Sequence, residues 1–293
     1  MKKLVFIFTC IVIFYPTSSH AATPSVVIID SGVNTSTLRN IVDEVCIVEF
    51  FSCPNNKSIM DDPNAATIAP SRYDSLNHGT QMASIIQKIN PAVGLIPIRI
   101  VGQTSWGMPM PYTNNAVKLA LDWVVVNQAK YNIVAVNVSL GRMSSGCQVP
   151  AGLQTTVETL KSLGVAVIAA SGNDGSRTDM NAIACLPNVI SVGATDNPAF
   201  MGGAPYDPTA KPTIANYSNS NAQTTVYTNG RWFATNLFGS QTFITGTSSA
   251  SAAITGWWSI NNQGSYQATY NFLISTTKTA TNGTSTGRYV QIL

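Results

Sequence analysis

Six apolar residues in unbroken succession, Val165-Ala166-Val167-Ile168-Ala169-Ala170, end abruptly in the turn-forming stretch Ser171-Gly172-Asn173-Asp174-Gly175. A strand with no polar side needs cover on both faces, which a parallel sheet flanked by helices provides. Other short β-branched runs alternate with amphipathic segments, the pattern of an α/β domain with a mainly parallel sheet. Strands are expected at residues 25–29, 45–51, 95–101, 133–139, 165–170 and 189–192. Helices are expected at 78–88, 114–128, 152–163 and from about residue 248 onward. The last 35 residues or so, rich in Asn, Thr, Gly and Ser, read as peripheral structure. At 293 residues the chain can bury a core without help from a metal or oligomerisation.

The N-terminus predicts export. Lys2 and Lys3 precede an apolar run from Leu4 to Tyr15 that only Thr9 interrupts, and Ser19-His20-Ala21 offers small residues for cleavage. Residues 1–21 therefore read as a signal peptide and 22–293 as the mature domain. Twelve residues of helix cover about 18 Å, short of the ~30 Å hydrocarbon core, so no membrane anchor is expected. Cys10 lies within the run but lacks a lipoprotein cleavage context. The expected location is secreted, extracellular or periplasmic.

Charge narrows the function. Only 10% of residues are charged, with 16 Lys+Arg against 13 Asp+Glu. Without Lys2 and Lys3 the balance is 14 against 13, which excludes a nucleic-acid surface. Export also sets the reading of the cysteines. Losing Cys10 leaves Cys46, Cys53, Cys147 and Cys185, which in an oxidising compartment read as two disulfides rather than a metal site. Cys46 and Cys53 are close enough to meet through a local turn, and elimination then pairs Cys147 with Cys185. Of the two histidines, His20 leaves with the signal, so any mechanism that needs an imidazole must use His78.

Chemistry-bearing residues stand where the expected elements end. Val27-Ile28-Ile29-Asp30-Ser31-Gly32 delivers an acid at a strand end, where functional groups of open α/β sheets cluster. Asn77-His78-Gly79-Thr80 puts the histidine at the head of a helix. Gly246-Thr247-Ser248-Ser249-Ala250 places a serine at a helix N-terminus, whose free N–H groups favour negative charge nearby. Asn173 ends the apolar strand at 165–170 with an amide.

In the order Asp30, His78, Asn173, Ser248, these segments resemble the subtilisin-like serine proteases, as does Val138-Ser139-Leu140-Gly141. The resemblance runs from about Ser25 to Ile260. It implies a three-layer subtilisin-like α/β fold with helices on both faces of the sheet. It also implies a secreted serine endopeptidase working through an acyl-enzyme. Ser248 is then the nucleophile, His78 the base, Asp30 its orienter and Asn173 the oxyanion donor. Ser139, Leu140 and Gly141 correspond to the edge that pairs with an extended substrate, and Ala169, Ala170, Ser171 and Gly172 to the lining of a spacious apolar primary pocket. Thr104-Ser105-Trp106-Gly107 corresponds to the facing wall. Cys147 and Cys185 follow opposite walls of that pocket, so their bridge is expected to hold the walls together.

The chain departs from the family pattern in three places. Ala252 stands where a proline usually follows the nucleophile motif. The family's calcium loops are not recognisable, and Asp61, Asp62 and Asp74 read as solvated loop acids. No cofactor or metal is therefore expected, with structural calcium the weaker alternative. Only about four residues separate the expected cleavage site from the first strand, too few for a propeptide, so a separate inhibitor or folding helper is an expected partner beside protein or peptide substrates. A monomer is expected. Two competing functions fit the sequence less well. A binding protein that kept the fold would not need Asp30, His78, Asn173 and Ser248 together, and the Gly-x-Ser-x-Gly elbow of many esterases is absent.

Overall fold

The computed structural model describes residues 23–68, 73–150, 152–196, 212–283 and 285–292. The expected signal peptide lies outside them. In chain order the first half consists of β1 (Ser25–Asp30), β2 (Val45–Ile47), β3 (Ile59–Asp61), α1 (His78–Ile89), β4 (Gly94–Arg99), α2 (Asn114–Tyr131), β5 (Ile133–Val138), β6 (Met143–Ser144), α3 (Leu153–Ser162) and β7 (Ala166–Ala170). The second half adds β8 (Met180–Asn181), β9 (Ile190–Asp196), β10 (Thr213–Ile214), β11 (Val226–Asn229), β12 (Arg231–Thr235), β13 (Gln241–Thr245), α4 (Thr247–Ile260), α5 (Tyr266–Ser275), β14 (Lys278–Asn282) and β15 (Ser285–Tyr289).

Seven neighbouring strands, in the order β11-β9-β7-β5-β1-β4-β2, run parallel. Alternate residues of each strand enter opposite cores. Val26, Ile28 and Ile168 face Met82, Ile86, Ala253 and Trp258 of α1 and α4. Val27, Ile29, Val136 and Val167 face Leu121, Val124, Val157 and Leu160 of α2 and α3. Each fully buried aliphatic side chain contributes roughly 1.5–3 kcal/mol, so the two cores together clamp the sheet from both sides. Helix α4, rich in small residues, reaches the centre because Gly256 lets it lie against Ile86 and Ile89 of α1. Helices α1 and α4 thus pack together over the same face of the sheet.

Boundaries and placements differ from the sequence expectation at several points, among them β4, which ends at Arg99, and β9, which runs on to Asp196. The strand expected over 45–51 stops at Ile47, and Phe51 adopts φ 66° in the turn that follows. Strand β5 stops at Val138, leaving Ser139 beyond its end. Helix α2 continues to Tyr131 and closes on Asn132 in the left-handed region (φ 49°). The C-terminal residues are not merely peripheral: α5 packs Leu273 into the core, and β15 pairs with β11 to extend the main sheet. Their strands bury only single positions, so they carry no apolar run.

Candidate active site

Asp30 is the last residue of β1, and its carboxylate is 1% exposed. Its Oδ1 accepts the Ser31 N–H at 2.7 Å. The Ser31 hydroxyl accepts the Gly79 N–H (3.0 Å) and donates to the Leu76 carbonyl (3.2 Å), which ties the head of α1 to the end of β1. A methyl group at Gly79 would overlap the Gly32 carbonyl oxygen, so only glycine permits this approach. His78, the first residue of α1, consequently places Nδ1 2.8 and 2.9 Å from the two Asp30 oxygens. Donation from Nδ1 fixes the neutral tautomer with Nε2 unprotonated. Burial lowers the imidazole's pKa, but the Asp30 charge and hydrogen bond outweigh it and leave the pKa raised above 6.5.

Ser248 is the second residue of α4 and half-buried. In the resting geometry its hydroxyl donates to the Ser139 carbonyl at 3.2 Å rather than to the His78 ring. Ser139 anchors the head of α4. Its hydroxyl takes a hydrogen bond from Asn137 Nδ2 (2.8 Å) and contacts the Ser251 hydroxyl (2.9 Å) and the Ser248 carbonyl (3.2 Å). Asn137 Oδ1 in turn accepts from Thr255 (3.2 Å), making a buried polar seam between β5 and α4.

Asn173 stands exposed beyond β7 with its Oδ1 held by the Thr247 N–H and hydroxyl, both at 2.9 Å. The same Thr247 hydroxyl accepts the Gly172 N–H at 3.1 Å. This leaves Asn173 Nδ2 beside Gly246, the residue before α4. Behind the turn, buried Asn219 receives the Asp174 and Ser176 N–H groups (2.9 and 3.0 Å) and donates to Asp174 Oδ2 (2.9 Å).

Four polar groups from distant parts of the chain therefore gather at the carboxyl edge of the sheet. An acid–imidazole pair, a hydroxyl at a helix head with free N–H groups and an oriented amide can together run acyl transfer. Sequence reasoning missed Asn137, Thr247 as an anchor, and Asn219. An Asn inside the apolar run Ile133-Val134-Ala135-Val136-Asn137-Val138 was the signal available for the first.

The expected substrate-binding residues stand at and just beyond the ends of β5 and β7. Leu140 and Gly141 are half-buried beside Ser139. Ala169, Ala170 and Ser171 are at most 1% exposed, Ala169 belongs to the α2–α3 core, and Ser171 bonds the Asn219 carbonyl. With Gly172 they offer backbone rather than an apolar side-chain lining, and the carboxamide of Asn181 occupies the space against Gly141. The Thr104–Gly107 wall is a tight turn whose Trp106 is 86% exposed. Asp61 accepts a hydrogen bond from Trp123 Nε1 (2.7 Å) and Asp179 one from the Gly146 N–H (2.9 Å), and Arg177 donates to Ser218 and Ser220. Among the described residues no group of three or more His, Cys, Asp or Glu gathers as metal ligands, and no helix is long and apolar enough to cross a membrane.

Cys46 is bridged to Cys53, and Cys147 to Cys185.

Comparison with known proteins agrees with this geometry. A family model described as the subtilase family matches residues 22–287. An extracellular serine proteinase of Thermus sp. (strain Rt41A) is 29% identical over 175 residues, covering 56% of this chain and 40% of that protein. Subtilisin Savinase of Lederbergia lenta is 29% identical over 136 residues, covering 43% and 45%. The chain thus spans less than half the length of either relative. A solved cold-adapted subtilisin-like serine proteinase superposes with a TM-score of 0.67 at 19% identity, over 93% of this chain and 89% of that one, a likeness of fold.

Proposed function

This chain belongs to the subtilase family, and on that premise we propose that it is a serine endopeptidase cleaving protein or peptide substrates. The observation that carries the reading is the hydrogen-bonded Asp30–His78 pair at the same carboxyl edge of the sheet as the helix-head hydroxyl of Ser248 and the tethered amide of Asn173. As substrate enters, Ser248 Oγ rotates from the Ser139 carbonyl toward His78 Nε2. Oγ then bonds to the scissile carbonyl carbon while its proton passes to Nε2. Asp30 stays ionised and stabilises the imidazolium. The oxyanion takes hydrogen bonds from Asn173 Nδ2 and the Ser248 N–H, a contribution worth on the order of 10²–10³ in turnover for one donor. Collapse breaks the C–N bond as His78 returns the proton to the leaving amine. Water repeats the sequence on the acyl-enzyme, releasing the acid and restoring the serine hydroxyl. Ser139, Leu140 and Gly141 pair with the extended backbone of the substrate.

The chemistry draws on no cofactor. Secretion is part of the proposal: it is supported by the N-terminal pattern of residues 1–21, by two disulfides and by the extracellular Thermus relative. The test is covalent labelling with a fluorophosphonate followed by peptide mapping, and hydrolysis of casein against short-chain esters. Label on Ser248 with casein cleavage is expected. No label, or a label that persists in Ser248→Ala, refutes the reading, and ester hydrolysis alone points to an esterase.

A further inference from the structure

The inference concerns which residue the enzyme accepts before the scissile bond, and it rests on the protease reading above. A carbonyl attached to Ser248, with its oxygen on Asn173 Nδ2, directs the preceding side chain into the gap between the extensions of β5 and β7. Those strands are parallel neighbours, with Val138 beside Ala169. Beyond their ends the gap has a floor. The β6–β8 ribbon crosses from one wall to the other, pairing Met143 with Asn181 and Ser144 with Met180.

Asn181 touches both walls. On the β7 side its N–H donates to the Ser171 carbonyl (2.8 Å) and its Nδ2 to the Ala170 carbonyl (3.0 Å). On the β5 side a methyl group placed on Gly141 would lie 2.8 Å from Asn181 Cγ, so the carboxamide is already in contact with the Gly141 backbone. The residue is 8% exposed. Its mounting is rigid: the Ala182 N–H bonds the Arg142 carbonyl (3.0 Å), the Cys185 N–H bonds the Asn181 carbonyl (3.1 Å), and the Cys147–Cys185 disulfide closes the same ribbon. A glycine here would leave an open slot, whereas asparagine fills it with a side chain bonded in place.

We propose that Asn181 closes the primary specificity pocket, so that the enzyme cleaves after glycine, alanine or serine and rejects long and aromatic side chains. Excess bulk in a fixed pocket costs about tenfold or more in kcat/KM for each added group. The experiment compares peptide p-nitroanilides that differ only in the last residue, alanine, serine, leucine or phenylalanine, after fluorophosphonate labelling has located the nucleophile. The wild type is expected to prefer alanine over phenylalanine by at least about tenfold, and Asn181→Gly and Asn181→Ala to erase most of that ratio by raising kcat/KM for phenylalanine. A wild type that prefers phenylalanine or leucine overturns the proposal, as do folded variants with an unchanged ratio. If both variants fail to fold, the wild-type profile decides. Labelled Ser248 with the wrong profile refutes the pocket alone, and absence of label removes the protease reading and the pocket with it.

Discussion

Replacing Thr247 by valine removes one hydroxyl and almost no volume, yet that hydroxyl has two partners. It donates to Asn173 Oδ1 at 2.9 Å and accepts the Gly172 N–H at 3.1 Å, in a wholly buried site. Valine leaves the Gly172 N–H without an acceptor, at a cost of about 1–3 kcal/mol. In a domain of this size each kcal/mol lowers Tm by roughly 2–4 °C. The catalytic effect is separate. Asn173 keeps the Thr247 N–H but loses the second of the two bonds that aim its amide. The loss in kcat should therefore be smaller than the roughly 10²–10³ expected on deleting the amide, on the order of tenfold, with KM nearly unchanged because the oxyanion forms only after binding. Steady-state kinetics of Thr247→Val and Asn173→Ala, with thermal unfolding measured on a Ser248→Ala background to prevent self-digestion, supply both numbers. Two results would refute the reasoning: unchanged kcat together with unchanged Tm, or a loss confined to KM. Thr247→Ser should recover most of both losses.

Activity should fall along a single acid limb as pH decreases, because imidazolium cannot accept the Ser248 proton. The raised His78 pKa puts the midpoint above 6.5, and a pH profile of kcat/KM centred at or below that value contradicts it. Asp30→Asn removes the groups that raise the pKa, so the limb moves to lower pH while turnover drops on the order of 10⁴. Gly79→Ala forces its methyl group into the Gly32 carbonyl, separating the head of α1 from β1; the expected outcome is severe loss of activity in protein that retains its far-UV spectrum, and near wild-type kinetics would count against the close approach. The Cys147–Cys185 bridge spans 38 residues and Cys46–Cys53 only 7, so loop closure assigns about 4 and about 2.5 kcal/mol respectively. Denaturant unfolding of the paired serine variants should rank them in that order.

How much could be read in advance follows from where the information resides. Asp30, His78, Asn173 and Ser248 punctuate the ends of apolar or helical runs, and punctuation is visible locally. The parallel sheet was legible because strands buried on both faces must be apolar throughout. Asn181 was not, since its importance comes from Gly141 and Ala170, forty and eleven residues away along the chain. The ribbon that carries Asn181 was equally illegible: the family motifs describe the strand ends on either side, and the ribbon has only two residues in each strand. Strands β14 and β15 were missed because each buries a single position, Ala280 and Tyr289, so no apolar run marks them. The hairpin β12–β13 was in fact readable, since Trp232 and Ala234 alternate inward between exposed or half-exposed neighbours.

The distances along the chain between the reacting groups impose a timetable on folding. Asp30 meets His78 across 48 residues, Asn173 meets Thr247 across 74, and Ser139 meets Ser248 across 109. Contacts of this kind form late, because chain closure must be paid before they reward it. A polypeptide still emerging from the ribosome, or threaded across a membrane, lacks Ser248 until nearly all of the sheet has been delivered. Such a chain lacks the hydroxyl that the proposed mechanism requires. On the reading proposed above, the nucleophile arrives only with α4, which packs against α1 and against strands β5, β7 and β9.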